Sequence, residues 1–359
     1  MSRSTILFTG FPGFIGARLI GKLLADAPEA TVVALVEPRM VAVAREAAAT
    51  IDRERIVVEP GDITDPMLGL TAGRYAELAA STTQVHHLAA IYDLAVPLAV
   101  AERVNVIGTQ HVIAFCRACE QLERHHYVST CYVAGTRSGR VMEADLACGQ
   151  PFKNHYESTK FGAEVLVRAS MDEVPTTIYR PAIVVGDSET GVTAKFDGPY
   201  YLLRLLQRAG ERQPIAQIAS ENATFNVVPV DFVVDAIAAG ARDPEAIGET
   251  LALCDPDPVA SAELMRTFAQ LYAGREPSYR VPTSLLARAL RIGAVRKLYG
   301  GTPVESLIYL SHPVTFDTTR AQAVLGRAGL RCPRFVDYAP NLVRFFREHE
   351  DDAALVPKH

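Results

Sequence analysis

The sequence predicts an α/β fold: a doubly wound parallel sheet with a smaller, mainly helical C-terminal lobe. Two observations carry this expectation. Short apolar runs of strand length, suited to strands covered on both faces, alternate with segments whose apolar residues recur at helical spacing. The first such run, Ile6-Leu7-Phe8, leads into Gly10, Gly13 and Gly16, and from Phe14 and Ile15 to Leu23 and Leu24 the apolar residues fall at helical spacing. The glycines therefore stand where a strand turns into a helix.

Glycine suits each of these three positions: one for the tight turn, one to let backbone approach a pyrophosphate, one for close packing of helix on strand. Amides at the helix start, aided by the helix dipole, face the phosphates. The stretch Thr5 to Gly16 thus points to a bound dinucleotide.

Composition narrows the rest. A length of 359 residues suits one large α/β domain with an appended lobe, or two small domains. The chain is 49% hydrophobic and 21% charged, as in soluble globular proteins. A net charge of -5, with no clustered Lys/Arg face, excludes a general nucleic-acid surface. No apolar run approaches bilayer length and the N-terminus leads straight into the first strand, so a cytoplasmic location is expected. The cysteines, at 116, 119, 131, 148, 254 and 332, make no secreted disulfide framework. Cys116 and Cys119 lie inside a helical pattern with no second C-x-x-C, so they read as buried helix residues and no metal is expected.

Taken in order, Thr31 to Val36 is the second strand and Glu37 closes it. An acidic side chain there accepts hydrogen bonds from the adenosine ribose and repels a 2′-phosphate, which favours NAD(H). Arg39, two residues on, could meet that phosphate, so NADP(H) stays open. Met40 to Ile51 is helical and Arg55 to Glu59 is the third strand, with Asp62 and Ile63 just past its end to edge the adenine. Gln84 to Leu88 is the fourth strand, and the small Ala89-Ala90 lets a cofactor approach backbone; His86 and His87 read as core or sheet-face residues. A helix from Asn105 to Glu120 and a fifth strand from His126 to Thr130 follow, then a polar loop from Gly135 to Phe152.

The next helix opens on Asn154 with Glu157 three residues later, a capping box. Tyr156 and Lys160 are four apart and share one helix face. A phenol titrates near pH 10 and becomes an acid-base group at neutral pH only when positive charge stabilises its anion, which Lys160 can supply. Thr130, at the end of the fifth strand, offers a hydroxyl to hold a substrate oxygen.

The joint pattern of Gly10-x-x-Gly13-Phe14-x-Gly16, Asp62, Leu88-Ala89-Ala90, Asn105, Ser129-Thr130, Tyr156-x-x-x-Lys160 and Arg180-Pro181 resembles the extended short-chain dehydrogenases/reductases, built on the Rossmann fold. The segments GDITDPMLGL, HLAAIYD, YVSTCYVAG and FKNHYESTK look most like their fatty-acyl and thioester reductase branch, and less like the nucleotide-sugar epimerases and dehydratases. The resemblance covers about residues 5 to 190. It implies an NAD(P)-dependent oxidoreductase with Tyr156 as proton donor or acceptor, Lys160 lowering its pKa and binding the nicotinamide ribose, and Thr130 orienting the carbonyl. Gly10, Gly13, Phe14, Ile15, Glu37, Asp62, Ile63, Ala89, Ala90, Asn105, Pro181 and Ile183 would complete the cofactor site. Glu37 departs from the basic residue that acyl reductases often carry there. A homodimer through the helices at Asn105 to Glu120 and Asn154 to Met171 is also implied. The alternative within the same fold is an epimerase or dehydratase with tightly held NAD; outside it, a non-catalytic dinucleotide sensor.

Thr176 to Arg180 is the sixth strand, Val230 to Ala241 a helix of the main sheet, and Thr250 to Leu253 a further strand. The expected division is 1–186 with 226–255 for the dinucleotide and 187–225 with 256–359 for the substrate. The lobe holds an amphipathic helix in DGPYYLLRLLQRAG, where Tyr200, Tyr201, Leu202 and Leu205 are pocket candidates, and helices near Ala262 to Tyr272, Thr283 to Lys297, Thr318 to Leu325 and Phe335 to Glu348. Its apolar content suits a small apolar substrate better than a sugar nucleotide, which would need a basic diphosphate clamp. Cys131 and Cys148 flank the site as structural thiols.

Overall fold

Seven parallel strands in the order β11-β7-β5-β4-β1-β2-β3 form the central sheet of the computed structural model. It describes residues 4–92, 96–209, 213–282 and 308–356, with Leu285 and Arg288. The first half is β1 (Thr5–Thr9), α1 (Phe14–Asp26), β2 (Thr31–Val36), α2 (Val41–Ile51) and β3 (Ile56–Pro60). After α3 (Ala72–Ser81) the chain returns across β1 to lay down β4 (Thr82–His87), so the strand order reverses between β1 and β4. In such sheets that reversal opens a crevice at the carboxyl ends, where ligands bind.

The helix expected from Asn105 begins earlier, as α4 (Leu98–Ala101), runs through a π turn at Glu102–Ile107 and continues as α5 (Gly108–Ala118). Strand β5 (Arg124–Val128) also starts before the expected His126, as β4 starts before Gln84. Polar residues hid both strand starts. Each is buried with a partner: Thr83 Oγ1 donates to the Thr5 carbonyl at 3.2 Å, and Arg124 Nη1 donates to the carbonyls of Gly240 and Asp243 at 2.9 Å. His86 and His87 are core residues, as expected, and His86 stacks on His126 with ring centres 4.2 Å apart.

Next come β6 (Gly139–Val141), α6 (His155–Ala169), β7 (Thr176–Pro181), β8 (Ile183–Val185), α7 (Tyr200–Ala209), β9 (Ala216–Gln217), β10 (Val227–Pro229), α8 (Val230–Arg242) and β11 (Thr250–Leu253). The capping box opens α6 in part: Asn154 Oδ1 accepts from the Glu157 amide at 2.9 Å, while Glu157 Oε2 accepts from the Lys153 amide instead of closing back on Asn154. After α9 (Ser261–Ala273), β12 (Tyr279–Arg280) and β13 (Val314–Phe316), helix α10 (Thr319–Arg327) packs its buried Ala321, Val324 and Leu325 into the core of the main sheet. The last helix, α11 (Phe335–His349), joins α7 and α9 around a second apolar core of Phe196, Tyr200, Phe268, Phe335, Tyr338 and Phe346. The helix expected over Thr283 to Lys297 lies outside the described residues, except for Leu285 and Arg288. Among the described residues no helix is long and apolar enough to cross a membrane, and no cluster of metal-binding side chains occurs.

Candidate active site

At the end of β1 the chain turns sharply. Gly10 has φ +95°, where a Cβ would stand 2.9 Å from the Leu88 and Ala89 backbone, and its carbonyl accepts from the Gly13 amide at 3.0 Å. A Cβ on Gly16 would lie 2.5 Å from that same carbonyl, so only glycine lets α1 pack this close. Gly13 is the N-cap of α1, with no side-chain cap and no acidic residue in the first turn. The helix thus begins with amides that no side chain satisfies, the arrangement that takes phosphate.

These groups open onto a cavity of about 570 Å³ that runs from Gly10, Gly13, Phe14 and Ile15 past Ala90 to Thr130, Tyr156, Lys160, Pro181 and Ile183. Glycine turn, unsatisfied amides and cavity together fit a dinucleotide. Five elements bring the chemistry there. Thr130 follows β5 and caps the next 3-10 turn, its Oγ1 accepting from the Tyr132 amide at 3.2 Å. Tyr156 and Lys160 project from the first turns of α6, and Pro181 and Ile183 end β7 and begin β8.

The electrostatics differ from the sequence expectation. Burial pushes the Tyr156 phenol well above its ordinary value, and the opposing influence is the Thr130 hydroxyl, not Lys160. Lys160 Nζ instead donates to Tyr127 Oη at 2.9 Å and to the Val128 carbonyl at 2.8 Å, with its charge 4.4 Å from the centre of the Tyr127 ring. Burial lowers it to about 7. The ammonium is thus held by Tyr127 and Val128 of β5.

Other expected residues stand beside the cavity without walling it. Glu37 follows β2 in an exposed ion pair with Arg39 at 2.7 Å. Asp62 Oδ1 accepts from the Thr64 amide at 2.8 Å, and Ile63 packs against Gly108. The Ala89 amide donates to Thr9 Oγ1 at 3.2 Å. Asn105, buried in the π turn, accepts from the Ile91 amide at 2.9 Å and donates to Thr159 Oγ1 at 3.0 Å, which ties the chain after β4 to α6. Of the four pocket candidates on α7 only Tyr201 reaches the wall; Tyr200 and Leu202 are buried in the second core and Leu205 packs against it. Cys131 is buried with its thiol against that of Cys254, and Cys148 is exposed.

Sequence reading missed Tyr92, Tyr132, Lys195, Asp197 and Tyr309 on the wall, and Tyr127 behind Lys160. Tyr309 comes from far along the chain and is fastened by its hydroxyl, which donates to Glu157 Oε1 at 2.6 Å and accepts from Asn154 Nδ2 at 2.9 Å. The one signal that could have found Tyr127 was its place three residues before Thr130 on a strand of known direction.

A family model described as Male sterility protein matches residues 8–237. Among curated proteins the chain is similar to the non-canonical nonribosomal peptide synthetase FrzA of Cladobotryum sp, 30% identical over 294 residues that cover 76% of this chain and 28% of that protein. It is similar also to the aldehyde reductase lnbA of Aspergillus flavus, 28% identical over 289 residues covering 73% of this chain and 27% of that protein. The chain thus spans little more than a quarter of either relative. Among solved structures, the terminal R domain from the myxalamid PKS-NRPS biosynthetic pathway superposes with a TM-score of 0.84 over 99% of this chain and 93% of that one, at 24% identity. The UDP-glucuronic acid 4-epimerase from Bacillus cereus in complex with NAD superposes with a TM-score of 0.66 over 98% of this chain and 99% of that one, at 18% identity. At these identities the two structures share the fold.

Proposed function

The chain belongs to the male sterility protein family of extended short-chain dehydrogenases/reductases, and from that premise we propose that it is an NAD(P)-dependent reductase of an apolar aldehyde or acyl thioester. The observation that carries the reading is the convergence of Thr130, Tyr156 and Lys160 on the cavity into which the glycine turn opens. The nicotinamide cofactor, when bound, supplies the hydride.

Gly10, Gly13 and the first amides of α1 bind the pyrophosphate, while Phe14, Ile15, Ala90, Pro181 and Ile183 shape the walls beside it. Asp62 and Ile63 border the adenine, Glu37 meets the ribose, and Ala89 and Asn105 brace the backbone after β4. Thr130 orients the carbonyl oxygen. Tyr156, a phenol that burial keeps protonated at neutral pH, gives that oxygen its proton as the carbonyl is reduced. Lys160 presents its charge to the nicotinamide ribose. In this division residues 1–186 with 226–255 hold the cofactor and 187–225 with 256–359 the substrate, corrected at α10, whose Ala321, Val324 and Leu325 sit in the main-sheet core and so belong with the cofactor part; the homodimer through α5 and α6 belongs to the same proposal.

The epimerase reading finds less support. A sugar nucleotide needs a diphosphate clamp, and among the described residues the cationic side chains on the wall are Lys160 and Lys195, with no arginine. The test is turnover of aliphatic aldehydes and acyl-pantetheine thioesters with NADH and with NADPH. Net cofactor oxidation that Tyr156→Phe abolishes supports the reading; bound NAD that is never released and no net oxidation with any carbonyl would overturn it.

A further inference from the structure

Asp197 is the one acidic side chain on the cavity wall among the described residues. No other described residue donates to its carboxylate or pairs with it; Lys195, two residues back and exposed, reaches it only as a charge at a distance. The backbone that carries the carboxylate is fixed by its neighbours. The ring of Phe196 is fully buried between Tyr200 and Phe346, at 5.3 and 4.8 Å, and its amide donates to the Leu355 carbonyl at 2.8 Å. The Asp197 carbonyl accepts from the Tyr200 amide at 3.2 Å as α7 begins. The same wall carries Tyr92 and Tyr201, with the Tyr92 ring edge-on to that of Tyr156 at 5.0 Å; Tyr132 and Tyr309, farther along it, already face the Lys153 ammonium at 5.7 and 5.1 Å.

A carboxylate in a mostly apolar cavity costs free energy unless something pairs with it. Tyrosine faces attract cations. The two features select the same chemistry.

We propose that Asp197 is a specificity-determining residue that receives a positively charged nitrogen, an amine or quaternary ammonium, borne by an apolar carbonyl substrate whose reacting carbon lies at Tyr156. The proposal rests on the reductase reading and names its substrate class. A cation is drawn toward Asp197 and repelled by Lys160, so the same pair of charges orients the substrate with its carbonyl toward the catalytic hydroxyls.

The test uses two matched series of aldehydes of increasing chain length, one ending in trimethylammonium and one in the neutral, isosteric tert-butyl group. The wild-type protein should favour the cationic series in kcat/KM at its best chain length, and Asp197→Asn should erase that preference by roughly ten- to hundredfold through KM, leaving the neutral series and cofactor binding unchanged. Asp197→Lys should invert the preference toward aldehydes ending in carboxylate, a result that misfolding cannot mimic. Equal treatment of the two series by the wild-type protein, or equal loss on both in Asp197→Asn, would overturn the assignment. Turnover of neither series overturns the assignment, and turnover of acyl-pantetheine thioesters then decides the reductase reading separately: none, with cofactor bound normally, would overturn that reading too.

Discussion

The two ends of the cavity are built by different means. The nucleotide end is backbone: a glycine turn at φ +95°, helix amides without a side-chain cap, and small residues where β4 ends. The substrate end is side chain: tyrosines 92, 132, 201 and 309 and Asp197, gathered from distant segments. A backbone site needs particular residues at fixed local spacing and so leaves a motif. A side-chain site needs only that tertiary packing bring the right groups together, and any spacing will serve.

Tyr156 stands where the two ends meet, and its removal has the largest expected effect. Tyr156→Phe should lower kcat by about 10² to 10⁴ while leaving cofactor affinity within about threefold, as for loss of one general acid. Calorimetric titration beside steady-state turnover separates the two. Loss of cofactor binding in this variant would mean that the phenol belongs to the nucleotide end and that the division drawn here fails.

The same contrast explains what could be read from the sequence. The doubly wound parallel sheet, the glycine turn and the placing of Thr130, Tyr156 and Lys160 on one cavity were legible because each rests on local spacing or on apolar runs; the strand order was not read. The starts of β4 and β5 were not, because Thr83, Arg124 and His125 are polar residues buried with partners that only the folded chain supplies, and Thr82 is buried with its hydroxyl unpaired. Tyr309 was beyond reach for another reason: its place on the wall depends on hydrogen bonds to Glu157 and Asn154, some 150 residues earlier in the chain. The direction of Lys160 could not be inferred from i, i+4 spacing, which puts two side chains on one face but leaves open which neighbour the longer one meets.

A second variant strains the backbone end alone. Gly16→Ala places a Cβ 2.5 Å from the Gly10 carbonyl, a backbone atom that cannot yield without opening the turn. The expected cost is about 1–3 kcal/mol, read as a lower Tm and a ten- to hundredfold weaker Kd for the cofactor. Normal binding would show that the turn tolerates opening. A tyrosine-to-phenylalanine change at position 92 or 201 should leave cofactor affinity alone, and a parallel loss there would erase the distinction between the ends.

Tyr127 tests whether a residue behind the wall tunes one on it. Its hydroxyl accepts from the Lys160 ammonium, so Tyr127→Phe removes a group that stabilises the charged form and lowers a pKa already near 7. Cofactor binding that needs the ammonium is lost as pH rises through that pKa, so the alkaline limb should move to lower pH by about one unit, the size of one hydrogen bond to a charged group. A merely structural role would lower Tm and leave the limb where it is. The phenyl ring keeps the cation–π contact, which bounds the effect.

The smallest effect is expected at Glu37, where the nucleotide end passes from backbone to side chain. Glu37 and Arg39 are paired at 2.7 Å but exposed by 44% and 78%, and such a pair contributes only about 0.2–1 kcal/mol. Stability should therefore not change in Glu37→Ala. The ribose loses an acceptor, worth about 0.5–1.5 kcal/mol, and Arg39 is released to meet a 2′-phosphate, so NADH affinity should fall severalfold while NADPH affinity rises. Arg39→Ala should do the reverse. If calorimetry finds both affinities unchanged in both variants, neither side chain reads the ribose, and adenosine recognition at this end is the work of backbone and of Asp62 and Ile63, which would make the contrast between the two ends sharper still.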